Sequence, residues 1–89
     1  MNFSTQDLPF AAFLHATRKL RFLSCECSNG NGRIAFLFDD PKREGDRLHI
    51  EFESGAECPA AVFYDSVRHL RRVMTRVQNN GVIEHEYRR

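Results

Sequence analysis

The chain has 89 residues, of which 42% are hydrophobic and 28% charged, with a formal net charge of +1 and three cysteines. One core is all that such a length holds, because domains centre on roughly 100 to 150 residues, and the apolar content excludes a disordered chain. No apolar run approaches the roughly 20 residues that span a bilayer, and the first residues lack the basic-then-apolar order of a secretion signal, so the reading is cytoplasmic with no membrane contact.

In chain order, Ser4, Thr5 and Asp7 offer N-caps, Pro9 suits a first helical turn, and Phe10 to Ala16 continue a helix over about residues 6–18. It is apolar almost all round, which calls for packing on more than one side. After Thr17-Arg18-Lys19, the run Leu20-Arg21-Phe22-Leu23 opens a strand. Asn29-Gly30-Asn31-Gly32 is a hairpin signal, since these residues accept positive φ. The resulting register sets Cys27 opposite Ile34, Cys25 opposite Phe36 and Leu23 opposite Phe38, all inward, and leaves Phe22, Ala35 and Leu37 on the outer face.

From Arg47 to Glu53, Leu48, Ile50 and Phe52 alternate with Arg47, His49, Glu51 and Glu53, which predicts a third strand with one buried face. Asp39 then stands opposite Arg47. Phe63, Val67, Leu70, Met74 and Val77 recur at spacings of four and three, predicting a helix over about 59–78 that stops at Asn79-Asn80-Gly81. Residues 82–89 read as a tail or an edge strand. The fold predicted is α+β, a helix, a three-stranded antiparallel meander and a helix (αβββα) within residues 1–81, forming a two-layer sandwich with both helices on one sheet face.

The pattern Thr5-x-Asp7-Leu8-x-x-Ala11-Ala12-Phe13-Leu14, the strand Arg33-Ile34-Ala35-Phe36-Leu37-Phe38 and a helix carrying Phe63 and Leu70 resemble a small domain family of unknown function from bacteria and their phages or mobile elements. The likeness covers the chain to about residue 78. It implies the fold and a cytoplasmic setting and no catalytic role, and Thr17-Arg18-Lys19 stands where a glycine often follows the first helix of that family. The element order also resembles the double-stranded-RNA-binding domain, whose last helix begins with a lysine cluster that grips phosphates. Here that end reads Glu57-Cys58-Pro59-Ala60-Ala61, without a lysine.

Arg68, Arg72 and Arg76 stack at i, i+4 and i+8 on the last helix with Arg71 on their flank, opposite the Phe63-Leu70-Met74 stripe. Such a face is either solvated, or made for an acidic protein surface, or made for nucleic acid. Together with Arg18, Lys19 and Arg21 it would form a basic pole, against an acidic one between Asp39 and Glu57. Cys25, Cys27 and Cys58 with His49 or His69 make a weak zinc pattern. Cys25 and Cys27 are too close along one strand to bridge comfortably, so free thiols in a reducing compartment follow. Cys58 stands at a helix N-terminus, yet no base can be assigned to it.

His15, His49, His69 and His85 show no metal-binding spacing, and no glycine motif cradles a nucleotide. No cofactor, metal, small-molecule substrate or catalytic site is therefore expected. The expected function is a non-enzymatic interaction module that binds a protein partner or itself. Its surfaces would be the open sheet face, with Phe22, Leu37 and His49, and the arginine face of Arg68, Arg71, Arg72 and Arg76. The alternative is nucleic-acid binding through the basic pole.

Overall fold

A computed structural model describes residues 1–27, 33–80 and 84–85. Chain entry is set by hydroxyl and carboxylate caps. Asp7, extended at φ −88° and ψ 104°, accepts the Phe10 N–H on its side chain at 3.3 Å and opens α1 (Leu8–Thr17) with Pro9 in the first turn. The Thr5 hydroxyl accepts the Asp7 N–H at 3.1 Å. Helix α1 ends where Arg18 turns left-handed at φ 58°. Five consecutive residues of α1, Phe10 to Leu14, are buried, as its all-round apolar surface requires.

Ahead of α1 lies a strand that the sequence pattern did not reveal. β1 (Asn2–Thr5) pairs antiparallel with β3 (Ile34–Asp39), Phe3 opposite Phe38. Four residues are too few for a period to register, and Ser4 and Thr5 read equally well as caps. What holds β1 is Phe3, whose ring meets Phe10 edge-on at 5.9 Å.

β2 (Arg21–Cys27) pairs antiparallel with β3, with Cys25 opposite Phe36 and Cys27 opposite Ile34 as the hairpin register predicts. The hairpin turn itself, Asn29 to Gly32, lies outside the described residues. Nearer the helix the prediction fails. An irregularity between Phe22 and Ser24 makes Leu23 the extra residue, so Phe22 and not Leu23 faces Phe38. A single inserted residue exchanges the two faces, and Phe22 becomes core, 4% exposed, with its ring 5.4 Å from that of Phe38.

The predicted third meander strand is a helix, α2 (Gly45–Glu53). Leu48 is buried, Phe52 packs its ring at 5.2 to 5.5 Å from those of Phe13 and Phe10, and Ile50, on the opposite side, is 67% exposed. Leu48 and Phe52 satisfy an i, i+4 pattern as readily as an alternation. The choice is made by Asp40, buried five residues upstream, whose carboxylate accepts the Glu44 and Gly45 N–H groups at 2.7 and 2.8 Å and so satisfies the start of α2. Gly45 lies against the Phe3 ring, where a side chain would not fit.

After the turn at Gly55 (φ 99°), α3 (Ala60–Asn80) runs at the predicted position. A two-residue strand, β4 (Glu84–His85), pairs with β2, so residues 84–85 form an edge strand. The sheet order is β1-β3-β2-β4. The class is α+β, with the helices layered on one sheet face; β2 and β3 pair antiparallel as predicted, but the strand on the other side of β3 is β1 and not the segment after β3, and β4 adds a fourth strand beside β2. Phe10, Phe13, Leu14, Phe22, Phe36, Phe38, Leu48, Leu70 and Val77 fill the space between the layers.

Candidate functional site

Helix α3 buries Ser66, Leu70, Val73 and Val77 and half-buries Phe63, Val67 and Met74, so its remaining face points to solvent. That face carries Arg68, Arg71, Arg72, Thr75 and Arg76 around one shallow depression. The Arg68 guanidinium lies over the Tyr64 ring at 5.6 Å from its centroid, and Tyr64 is 62% exposed. An aromatic one turn before the arginines was missed in the sequence, although its i, i+4 spacing to Arg68 was there to be read. Arg71 and Arg72 have no ion-pair partner among the described residues.

The predicted basic pole divides. Lys19 and Arg21 line a separate depression with Lys42, Asp39, Asp40 and Glu44, in which both signs of charge alternate. Arg21 pairs with Asp39 at 3.7 Å, so the predicted partner of Asp39, Arg47, is free to bond Glu44 at 3.1 Å along α2. Arg18, exposed, forms the left-handed end of α1 through its backbone.

The predicted sheet-face patch also comes apart. Phe22 is withdrawn into the core by the bulge. Leu37, half-buried, has Ser4 and Ser24 as its cross-strand neighbours, and Ala35 has Glu26, so the outer face is mostly polar. His49 is on α2 rather than the sheet. Its ring meets Phe10 at 4.7 Å, and its Nε2 lies 3.4 Å from Glu53 and 3.9 Å from Asp7.

One constellation has no counterpart in the sequence reading. His15 Nδ1 and Ser66 Oγ are 2.9 Å apart, and the His15 ring stacks on His69 at 5.1 Å and meets Phe22 edge-on at 6.1 Å. No local spacing links residues 51 positions apart. A serine beside an imidazole suggests a nucleophile and its base. Ser66, however, is 4% exposed in the seam between α1 and α3, where the bond ties two helices together.

Cys25 is buried and Cys27 and Cys58 are half-buried, and the Cys58 Sγ approaches the Pro59 carbonyl at 3.8 Å. Among the described residues no three His, Cys, Asp or Glu side chains are grouped to hold a metal ion, and no helix is long and apolar enough to cross a membrane. No protein family, curated protein or solved structure matches the chain. The functional reading therefore rests on the arginine face, where several exposed cations converge.

Proposed function

We propose that this chain is a non-enzymatic interaction module whose α3 face, Tyr64, Arg68, Arg71, Arg72 and Arg76, binds an acidic surface on a protein partner in a reducing, cytoplasmic setting. The observation that carries the reading is the pair Arg71 and Arg72, exposed side by side with no carboxylate partner among the described residues, flanked by the Arg68–Tyr64 stack. Like charges one turn apart cost a few tenths of a kcal/mol per pair, a cost that a bound anion removes. Exposed ion pairs are worth only about 0.2 to 1 kcal/mol each, whereas micromolar binding needs about 8 kcal/mol. Apolar burial has to supply the difference, and Tyr64 is the kind of residue that dominates such interfaces.

Nucleic acid is the second reading, favoured by the same Tyr64, which offers a ring for a base to stack on beside the arginines. The arginine track from residue 68 to 76 spans only about 12 Å, short for a backbone grip. Fluorescence anisotropy separates the two. An acidic peptide should bind at 50 mM salt, and Arg71→Glu with Arg72→Glu should abolish the binding with an unchanged far-UV spectrum. Tighter, steeply salt-dependent binding of an RNA or DNA duplex would transfer the function to nucleic acid, and no binding of either would end both readings.

A further inference from the structure

Four large apolar side chains are exposed among the described residues, Met1, Ile50, Val62 and Tyr64, and two of them, Ile50 and Tyr64, fall on helix faces of opposite charge. Ile50, 67% exposed on α2, has Asp46 one turn before it and Glu51 and Glu53 beside and after it, all exposed, with Glu57 following the helix. Tyr64, 62% exposed on α3, lies about one turn before Arg68 and two before Arg71 on the same side of the helix, whereas Val62, two residues earlier, projects from the opposite side. Each face is an apolar centre rimmed by charge, and the two rims are complementary.

The charges are also unmatched within one copy. Among the described residues, Asp46, Glu51 and Glu57 have no cationic partner, and Arg71 and Arg72 have no anionic one. Arg47, the cation on α2, is already taken by Glu44. The acidic and basic rims sit on different helices, and no ion pair among the described residues joins them.

We infer that the acidic surface taken by the arginine face is α2 of a second copy of this chain, in a two-fold dimer in which each copy's α2 docks on the other's α3. This inference rests on the arginine-face reading and names its partner. A two-fold arrangement uses both faces of both copies, so every unmatched rim gains its complement and the assembly closes without growing into a filament. It covers Ile50 and Tyr64 together. A stable dimer buries roughly 800 Å² per partner, about one seventh of the 5901 Å² surface, and α3 alone is about 31 Å long, enough to carry its share.

Sedimentation equilibrium of the full chain tests this, from micromolar to several hundred micromolar protein at 50 and 500 mM NaCl. A dimer is expected at low salt, with its dissociation constant at least about tenfold weaker at high salt, because the rims are exposed. Arg71→Glu/Arg72→Glu makes both faces acidic, and Asp46→Arg/Glu51→Arg makes both basic. Each double variant alone should be monomeric, and an equimolar mixture should restore a dimer. Ile50→Ser should weaken self-association without altering the far-UV spectrum. A monomer at every concentration, association that survives both reversals, or an open series of larger species would overturn the inference. A monomer that still binds a polyglutamate peptide through Arg71 and Arg72 would overturn the second copy as partner and leave the arginine-face reading standing.

Discussion

Replacing Asp40 with alanine should unravel the start of α2, and the size of the effect follows from the geometry. The two carboxylate oxygens accept the Glu44 and Gly45 N–H groups at 2.7 and 2.8 Å from a side chain in a residue only 5% exposed. Hydrogen bonds to a charged acceptor contribute about 1.5 to 3 kcal/mol each, and a buried donor left without one costs about 1 to 3 kcal/mol. The Glu44 N–H is in a half-buried residue and recovers water, whereas Gly45 is buried and does not. A loss of about 2 to 4 kcal/mol results, large against the roughly 4 to 13 kcal/mol expected of a chain this long. Asp40→Asn keeps one acceptor oxygen and should lose about half as much. Urea denaturation followed by far-UV circular dichroism measures both, and hydrogen exchange should show protection falling first over residues 45–53. If Asp40→Ala lies within about 0.5 kcal/mol of the parent, the typical scatter of surface substitutions, the cap does not decide the helix and the argument is wrong.

The bulge at Leu23 makes a paired prediction: Phe22→Ala should cost about 3 to 5 kcal/mol as a core truncation, and Leu37→Ala, half-buried on the outer face, under about 1.5 kcal/mol. Equal effects in denaturant titrations would restore the unbulged register. Gly45→Ala should destabilise by about 1 to 3 kcal/mol, because the new methyl group meets the Phe3 ring, and a thermal midpoint unchanged from the parent would refute that close approach. Arg18→Gly should stabilise by up to about 1 kcal/mol, relieving a left-handed residue at the end of α1, which calorimetry would register as a rise of about 4 to 8 °C in Tm.

The parts of the fold written in short-range chemistry were legible. Asp7 and Pro9 mark the start of α1, the Cys25–Phe36 and Cys27–Ile34 pairs follow from the hairpin signal, and the Phe63-to-Val77 stripe gives α3. What escaped depended on distant partners. Leu48, Ile50 and Phe52 suit either a strand or a helix, and Asp40 resolves the choice from outside the segment. Phe22 and Leu23 are equally apolar, so nothing local says which of them the bulge expels. The arginine face was visible because one helix carries all of it, whereas the His15–Ser66–His69 junction exists only once α1 and α3 have met.

The strand order has a consequence for how the chain assembles. β2 and β3 are neighbours in sequence and occupy the middle of the sheet, while β1 and β4, from opposite ends of the described chain, are laid on its two flanks. A hairpin can close in about 1 to 10 μs, but β1 has to wait for β3 across the whole of α1 and β2, and β4 has to wait for α3. Synthesis from the N-terminus therefore leaves the first strand without its partner until residues 34–39 emerge. The centre of the sheet precedes its borders, and the last piece set in place seals the side on which Ser24 lies.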